Sequence, residues 1–420
     1  MTMKHKDAPR RDPGRLLSST VMVFYFSAFL LLALKDFAWQ GFVLALAVPV
    51  MISLGTNFLP RLFPADKLLL SLTNFLCALG VLVLYATNPG YAYQQALYYG
   101  VGLVAMVVCI YLVRLIRRWR IPVFLLMPVS LALLALPLAI GKETNGAKNW
   151  FYIGSRAVQP SEIVKLSLLI IISYYMSRRK FFIWLGFAAG CLVLLMLQKD
   201  LGTALLYYGV TLMLYYASSS NLLMTGVGLL GGAGAAVMGY KMFAHVKKRV
   251  AIWRNPWSDY DNSGYQIVQS LMAIASGGLF GVGLGLGSPR TIPVYHTDFI
   301  FAVICEQFGV IFGLFVLLMY VAIIWRGATI AMAARRSFHG LLAMGCTLML
   351  GLQTFVIIGG VIKLIPLTGV TMPFVSYGGT SLVSSLCLAG LLQGVASLNE
   401  DDLDEDTRLA TMDVPGEVQP

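Results

Sequence analysis

Cations and carboxylates cluster in one stretch of a 420-residue chain that is 58% hydrophobic and 12% charged. Lys247, Lys248, Arg249 and Arg254 come first, in HVKKRVAIWR. Asp259 and Asp261 follow in NPWSDYDNSGYQ. Fixed cations can capture a phosphate group through charge-assisted hydrogen bonds. A carboxylate beside such an anion site can serve as a general base. Plainer readings exist for both groups. Juxtamembrane Lys and Arg anchor at lipid headgroups, and Asp, Asn, Ser and Gly all favour turns. Position leaves the two readings of the cations level, and composition alone favours the turn for the carboxylates.

Other ionisable residues stand at the edges of apolar runs. His296, Asp298 and Glu306 lie in HTDFIFAVICEQFG. Charge at membrane depth is expensive and marks functional candidates, although His296 and Asp298 can equally cap a helix at the interface. In QPSEIVK, Glu162 and Lys165 are three apart on one helix face, spaced for a salt bridge that neutralises both. A structural role is favoured for them, with Pro160 opening the helix. Lys199 and Asp200, in QKDLGTA, read as a tight hinge with a capped helix start. GVGLLG at 226–231 matches GxGxxG but lies inside an apolar run with no preceding strand, where small residues serve helix packing. Neither GxxxxGK[ST] nor HExxH occurs, which leaves ATP-driven transport and metallohydrolase chemistry without support. Six cysteines sit in apolar runs without CxxC spacing and read as small buried apolar residues.

The elements that position these residues are membrane helices. A soluble domain carries about 25% charged residues, roughly twice the fraction found here. Apolar runs near or above the ~18 residues of a transmembrane helix recur along the chain. Twelve spans are predicted near 16–34, 37–58, 68–87, 93–113, 121–141, 160–177, 181–198, 201–218, 222–243, 298–325, 339–362 and 377–397. No cleavable signal is visible, because the basic N-terminus leads straight into the first span. The fold class is all-α and polytopic. With twelve spans, the arm of Lys4, Lys6, Arg10, Arg11 and Arg15 shares one side with Arg61, Lys67, the run RLIRRWR, the run SRRK, and Arg326, Arg335 and Arg336. The positive-inside rule makes that side the cytoplasm, and topology accounts for the net charge of +12 better than nucleic acid does. Residues 1–15 are then a cytoplasmic arm, and the acidic tail over 399–420 is cytoplasmic and expected to be disordered. Segments 142–159, 244–297 and 363–376 face outward. In the longest of these, apolar residues from Ile267 to Ile274 recur at helical spacing and predict a short interfacial helix over 265–278. GGLFGVGLGLG, at 277–287, reads as a loop of little side-chain bulk, suited to close approach of a chain-like ligand or to a flexible return.

Five stretches in order, GAKNWFYIGSRAVQPSEIVK, QKDLGTA, RVAIWRNPWSDYDNSGYQIVQS, HTDFIFAVICEQFG and PLTGVTMPFVSYGGTS, resemble the SEDS proteins, the FtsW, RodA and SpoVE group. The likeness runs over about 66–398, a ten-helix core. Two extra helices, over 16–60, precede it, and the loop 244–297 lies within it. The resemblance implies a peptidoglycan glycosyltransferase of the bacterial cytoplasmic membrane, with both termini cytoplasmic. Such an enzyme polymerises lipid II into glycan strands on the outer face. It works with a class B penicillin-binding protein that cross-links those strands. By residue match Asp259 is the essential acid, Glu162 and Lys165 the buried ion pair, and Arg249 the basic residue upstream of the catalytic loop. Lys248, Lys247, Arg254, Trp150, Gln159, His296 and Asp298 are the further substrate-binding candidates. Asn149, Lys199, Gln307 and Ile357 depart from the residues usual in the family.

The chemistry then asks for one base, Asp259, to take the proton of an acceptor hydroxyl as it attacks the anomeric carbon with inversion. Cations, Arg249 first, stabilise the departing undecaprenyl pyrophosphate. No cofactor is required, and a divalent cation could share that task although no ligand cluster for one is visible. A lipid II flippase and a non-enzymatic scaffold of a division or elongation complex are the alternatives.

Overall fold

The computed structural model describes residues 13–36, 39–116, 118–144, 147–154, 156–260 and 264–412. Lys4, Lys6, Arg10, Arg11, Arg117 and Asp261 lie outside the described residues. The chain opens with α1 (Pro13–Asp36), α2 (Trp39–Ser53), a π turn over Leu54–Phe58 and α3 (Leu59–Leu62). Helices α4 (Lys67–Thr87), α5 (Pro89–Leu115) and α6 (Arg120–Ile140) follow. Strands β1 (Lys142–Thr144), β2 (Ala147–Ile153) and β3 (Arg156–Val158) come next. Four more long helices are α7 (Pro160–Ser177), α8 (Phe181–Leu197), α9 (Leu201–Ser219) and α10 (Leu222–Met242). Two shorter ones are α11 (Ala244–Arg254) and α12 (Tyr265–Gly277). The chain closes with α13 (Ile300–Phe308), α14 (Val310–Ala333), α15 (Ser337–Val361) and α16 (Gly379–Met412).

Helix starts follow the local chemistry. Asp66 caps α4 by accepting from Leu69 N at 2.9 Å, and Asp200 caps α9 through Thr203 N at 3.1 Å. Asn88 caps α5, with Pro89 at its first position. Among the described residues nine helices are long and apolar enough to cross a membrane. The expected spans at 160–177, 181–198 and 201–218 are helices of 18, 17 and 19 residues outside that nine. The two N-terminal helices are joined to each other by Ser18 Oγ and Thr56 Oγ1 at 3.2 Å, and to the rest by Tyr25 Oη donating to Phe75 O at 2.9 Å. Five cysteines are buried and Cys109 is half-buried, all as free thiols.

Three features differ from, or add to, the sequence reading. Residues 142–158 form a small antiparallel sheet in the order β1-β2-β3. Trp150 pairs with Lys142 in it, and Phe151 with Val158. The expected span at 298–325 is broken at Gly309, and the membrane-length helix is α14. Gly309 sits at φ +86, and a Cβ there would lie 2.2 Å from Leu279 O. The glycine loop caps both sides of this break. Val282 N donates to Glu306 O at 2.9 Å and Gly283 N to Gln307 O at 3.0 Å, closing α13. Val310 N in turn donates to Gly278 O at 2.9 Å, opening α14. Finally, the acidic segment expected to be disordered from 399 continues α16 to Met412. Cations at the neighbouring helix ends compensate its charge: Arg114 pairs with Asp401 at 3.1 Å, and Arg335 with Asp402 at 3.9 Å and with Asp406.

These bonds define two ends of the bundle. One holds Asp66, paired with Arg326, together with Arg114, Arg335 and the acidic extension of α16. The other gathers the sheet, the α8–α9 hinge, α11 to α13, and the connection 362–378.

Candidate active site

Helix α11 lies across the connection between α15 and α16. Arg249 and Trp253, four apart on one face, both donate to its backbone: Arg249 Nη1 to Thr368 O at 2.8 Å, and Trp253 Nε1 to Lys363 O at 3.1 Å. At Gly369, where φ is +76, the position of a Cβ would lie 3.6 Å from Asp298 Oδ2 and 3.7 Å from Arg249 Nη2. A guanidinium and a carboxylate from two distant segments therefore converge on this glycine. Burial pushes the Asp298 carboxyl up to about 6, against a hydrogen bond from Thr297 and the attraction of Arg249. Much of Arg249 is open to solvent, yet its surroundings lower its pKa by desolvation. Asp298 and Asp200 oppose that effect.

Asp200 is the acidic residue that the sequence reading left as a hinge cap. It caps α9, and it also accepts from Asn149 Nδ2 at 2.9 Å and Gln159 Nε2 at 3.2 Å. It thus ties the sheet and the start of α7 to the hinge, as does Lys148 N donating to Gln198 O at 3.0 Å. Gln159, expected at the substrate, is engaged by this carboxylate, and Trp150 is half-buried in β2. Lys247, Lys248 and Arg254 are exposed along α11. The departure at Asn149 has a structural consequence, since its amide is one of the donors to Asp200.

His296 is held among aromatic rings. It stacks on Tyr91 at 4.6 Å and meets Tyr377 edge-on at 5.6 Å, and its carbonyl accepts from Tyr377 N at 2.9 Å. Burial lowers its pKa, which favours the neutral imidazole. Its Nδ1 is buried with no hydrogen-bond partner among the described residues. Tyr91 and Tyr377 were not read as site residues, because only the fold brings them to the histidine.

Asp259 closes a short 3-10 turn over Pro256–Asp259, directly beyond α11. Asn255 caps this turn, accepting from Trp257 N at 3.2 Å, and Asp259 O accepts from Gly264 N at 2.9 Å. Gly264 is required at that closure, since a Cβ would lie 2.0 Å from Pro256 O. The turn favoured by composition is therefore present, and it also sets the half-exposed Asp259 at a defined place. Trp257 and Tyr260 stack beside it at 5.9 Å, the first largely and the second about one-third exposed.

Glu162 and Lys165 form the expected pair at 2.7 Å. Lys165 also donates to Gln353 Oε1 at 2.9 Å, and Ser384 Oγ to Glu162 Oε2 at 2.6 Å. The pair thus joins α7, α15 and α16. Gln353 continues the chain to Thr371 O at 2.8 Å. Glu306 takes a bracing position: its Oε1 accepts from Ser288 N at 2.9 Å, at the end of the glycine loop. No group of three or more His, Cys, Asp or Glu side chains among the described residues is placed to hold a metal ion.

Comparison with known proteins adds to this geometry. The FtsW/RodA/SpoVE family of cell cycle proteins matches residues 66–401. Stage V sporulation protein E of Bacillus subtilis is 33% identical over 79% of this chain and 96% of its own length. The peptidoglycan glycosyltransferase RodA of Mycobacterium tuberculosis is 33% identical over 92% of this chain and 90% of its own. A solved chain of a peptidoglycan synthase complex, with coordinated polymerization and crosslinking, superposes with a TM-score of 0.68 at 29% identity, covering 80% of this chain and 98% of that one. The crystal structure of Thermus thermophilus RodA superposes with a TM-score of 0.59 at 28% identity, over 81% and 99% of the two chains.

Proposed function

This chain belongs to the FtsW/RodA/SpoVE family, and on that premise we propose that it is a peptidoglycan glycosyltransferase polymerising lipid II. The observation that carries this reading is Arg249, anchored to Thr368, followed ten residues later on the same segment by a capped turn that ends on Asp259. In the proposed reaction the acceptor sugar hydroxyl attacks the anomeric carbon of the donor chain. Asp259 takes the hydroxyl proton as the new C–O bond forms. The bond from the anomeric carbon to undecaprenyl pyrophosphate breaks with inversion, and the pyrophosphate leaves with the electron pair. A positioned base contributes ~10²–10⁴ in rate. Arg249, held by a backbone carbonyl and balanced by Asp298 and Asp200, offers a preorganised positive charge for the leaving group. Lys247, Lys248 and Arg254 add mobile cations along the same helix. The exposed faces of Trp257 and Tyr260 offer a platform for a sugar ring. His296, neutral and half-buried, suits a shaping role.

By the positive-inside rule, the end that holds Arg114, Arg326 and Arg335 faces the cytoplasm and the α11–α13 segment faces outward, where lipid II is presented. A class B penicillin-binding protein is the proposed partner, a reading supported by the similarity to a chain of a synthase complex. Transport is the weaker reading: the membrane-depth charges Glu162 and Lys165 are closed by Gln353 and Ser384.

Purified Asp259→Ala, incubated with fluorescent lipid II and run on a gel, is expected to fold and insert but to lose the glycan ladder, with activity reduced at least ~10²-fold. Ladder formation at wild-type rate by the variant would overturn the assignment. Translocation without any ladder from the wild type would identify a flippase.

A further inference from the structure

Helix α1 and the glycine loop enclose a groove of about 540 Å³. Phe24, Leu31 and Lys35 line it from the helix, Leu284 and Leu286 from the loop, and Phe308 from the end of α13. Apart from Ser27 its walls are apolar, and among the described residues its one charge is Lys35, at the last turn of α1. Leu31 and Leu286 are 68% and 67% exposed, so apolar side chains border an opening rather than a packed core. The loop wall is tied by backbone bonds to both sides of the Gly309 break, and Gly281, Gly283 and Gly285 supply the positive φ that its path requires.

From Phe24 to Lys35 the helix rises ~17 Å, about half of a ~30 Å hydrocarbon core. The groove therefore has the length of one leaflet, which suits an ordinary acyl chain and is short for a long polyprenyl tail. Among the described residues Lys35 Nζ makes one long contact, 3.5 Å to Gly285 O, and an ammonium has three donors. A cation on a flexible stem at the mouth of an apolar groove matches a phosphate at the head of that chain. We propose that the groove between α1 and the glycine loop binds one acyl chain of an anionic phospholipid, with the lipid phosphate on Lys35. Such a lipid bridges α1 to the loop that caps α13 and α14, and so couples membrane composition to the segment beside the candidate active site. The proposal does not depend on the assigned reaction.

The test uses the full chain with a photo-reactive benzoylphenylalanine at Leu31, in nanodiscs of equal phosphatidylglycerol and phosphatidylcholine, with adducts identified by mass spectrometry. The expected result is a phosphatidylglycerol adduct favoured about fivefold, the effect of one Lys at an anionic surface. Lys35→Glu should abolish that preference, and Lys35→Arg should keep it. Because Lys35 is exposed, neither change disturbs packing. Equal adducts of the two lipids in the parent protein would overturn the proposal. So would a preference unchanged in Lys35→Glu, or cross-linking to a polyprenyl lipid, a second copy of the chain or another protein in place of phospholipid.

Discussion

Asp298 and Arg249 are separated by 48 intervening residues yet both lie beside Gly369, and the charge of one acts on the other through space. With its carboxyl pushed up to about 6, Asp298 is ionised at neutral pH and loses its charge as pH falls through that value. Arg249 then loses a balancing charge. Polymerisation is expected to fall off below about 6 in the wild type. In Asp298→Asn that acid limb should vanish, and the rate at neutral pH should drop about tenfold, equivalent to ~1.4 kcal/mol of lost electrostatic support at Arg249. A pH–rate profile of both proteins checks this; an unchanged acid limb in the variant would assign it elsewhere. The stability effect has the opposite sign. A carboxyl raised in the folded state favours folding most below its unfolded value of 3.8, and this contribution is lost as pH rises through about 6. Ionised Asp298 is therefore retained at neutral pH at a cost to stability. In the sequence Asp298 was legible as an ionisable residue beside an apolar run. Its partner was not, because 48 residues of intervening chain say nothing about which segments meet.

At the level of elements, the sequence located most helices and missed where they break or end. The largely apolar stretch from Ile300 to Trp325, with only Glu306 and Gln307 as strongly polar residues, conceals the interruption at Gly309, since one glycine in such a run is also compatible with an unbroken helix. The loop over 278–283 decides the matter by offering partners to both exposed helix ends. Gly309→Ala meets both a positive φ and a Cβ placed 2.2 Å from Leu279 O, and should cost ~1–3 kcal/mol or more in stability. The readout is a lowered thermal midpoint in detergent; an unaltered midpoint would mean that the break tolerates a side chain. The sheet over 142–158 carried a weak signal, the β-prone run Trp150 to Ile153 before Gly154, which takes φ +62. Seven residues are too few for their periodicity to stand out beside helices of twenty. The acidic extension of α16 reads as disordered from composition, because the cations that pair with it come from α5 and the α14–α15 connection.

On the scale of the whole molecule, Glu162 and Lys165 tie α7, α15, α16 and the connection that carries Thr371 into one buried polar network. Removing one partner strands the other charge, at ~3–5 kcal/mol. Glu162→Ala should therefore lower the thermal midpoint more than the double change Glu162→Ala with Lys165→Ala. Equal losses would argue against the pair. Hydropathy, charge alternation and the i, i+3 spacing of this pair are properties of the chain itself. They determined the helical membrane architecture, the segment that carries the cations and Asp259, and the ion pair, because solvent preference and helix periodicity act locally. Which residues complete each charge belonged to the tertiary structure alone. Gln353 and Ser384 at the ion pair, Thr368 and Asp200 about Arg249, Tyr91 against His296, and the glycine loop at the α13–α14 break are all distant in sequence. A hydrogen bond depends on position in space, and only the packing of the helices brings these groups within its reach.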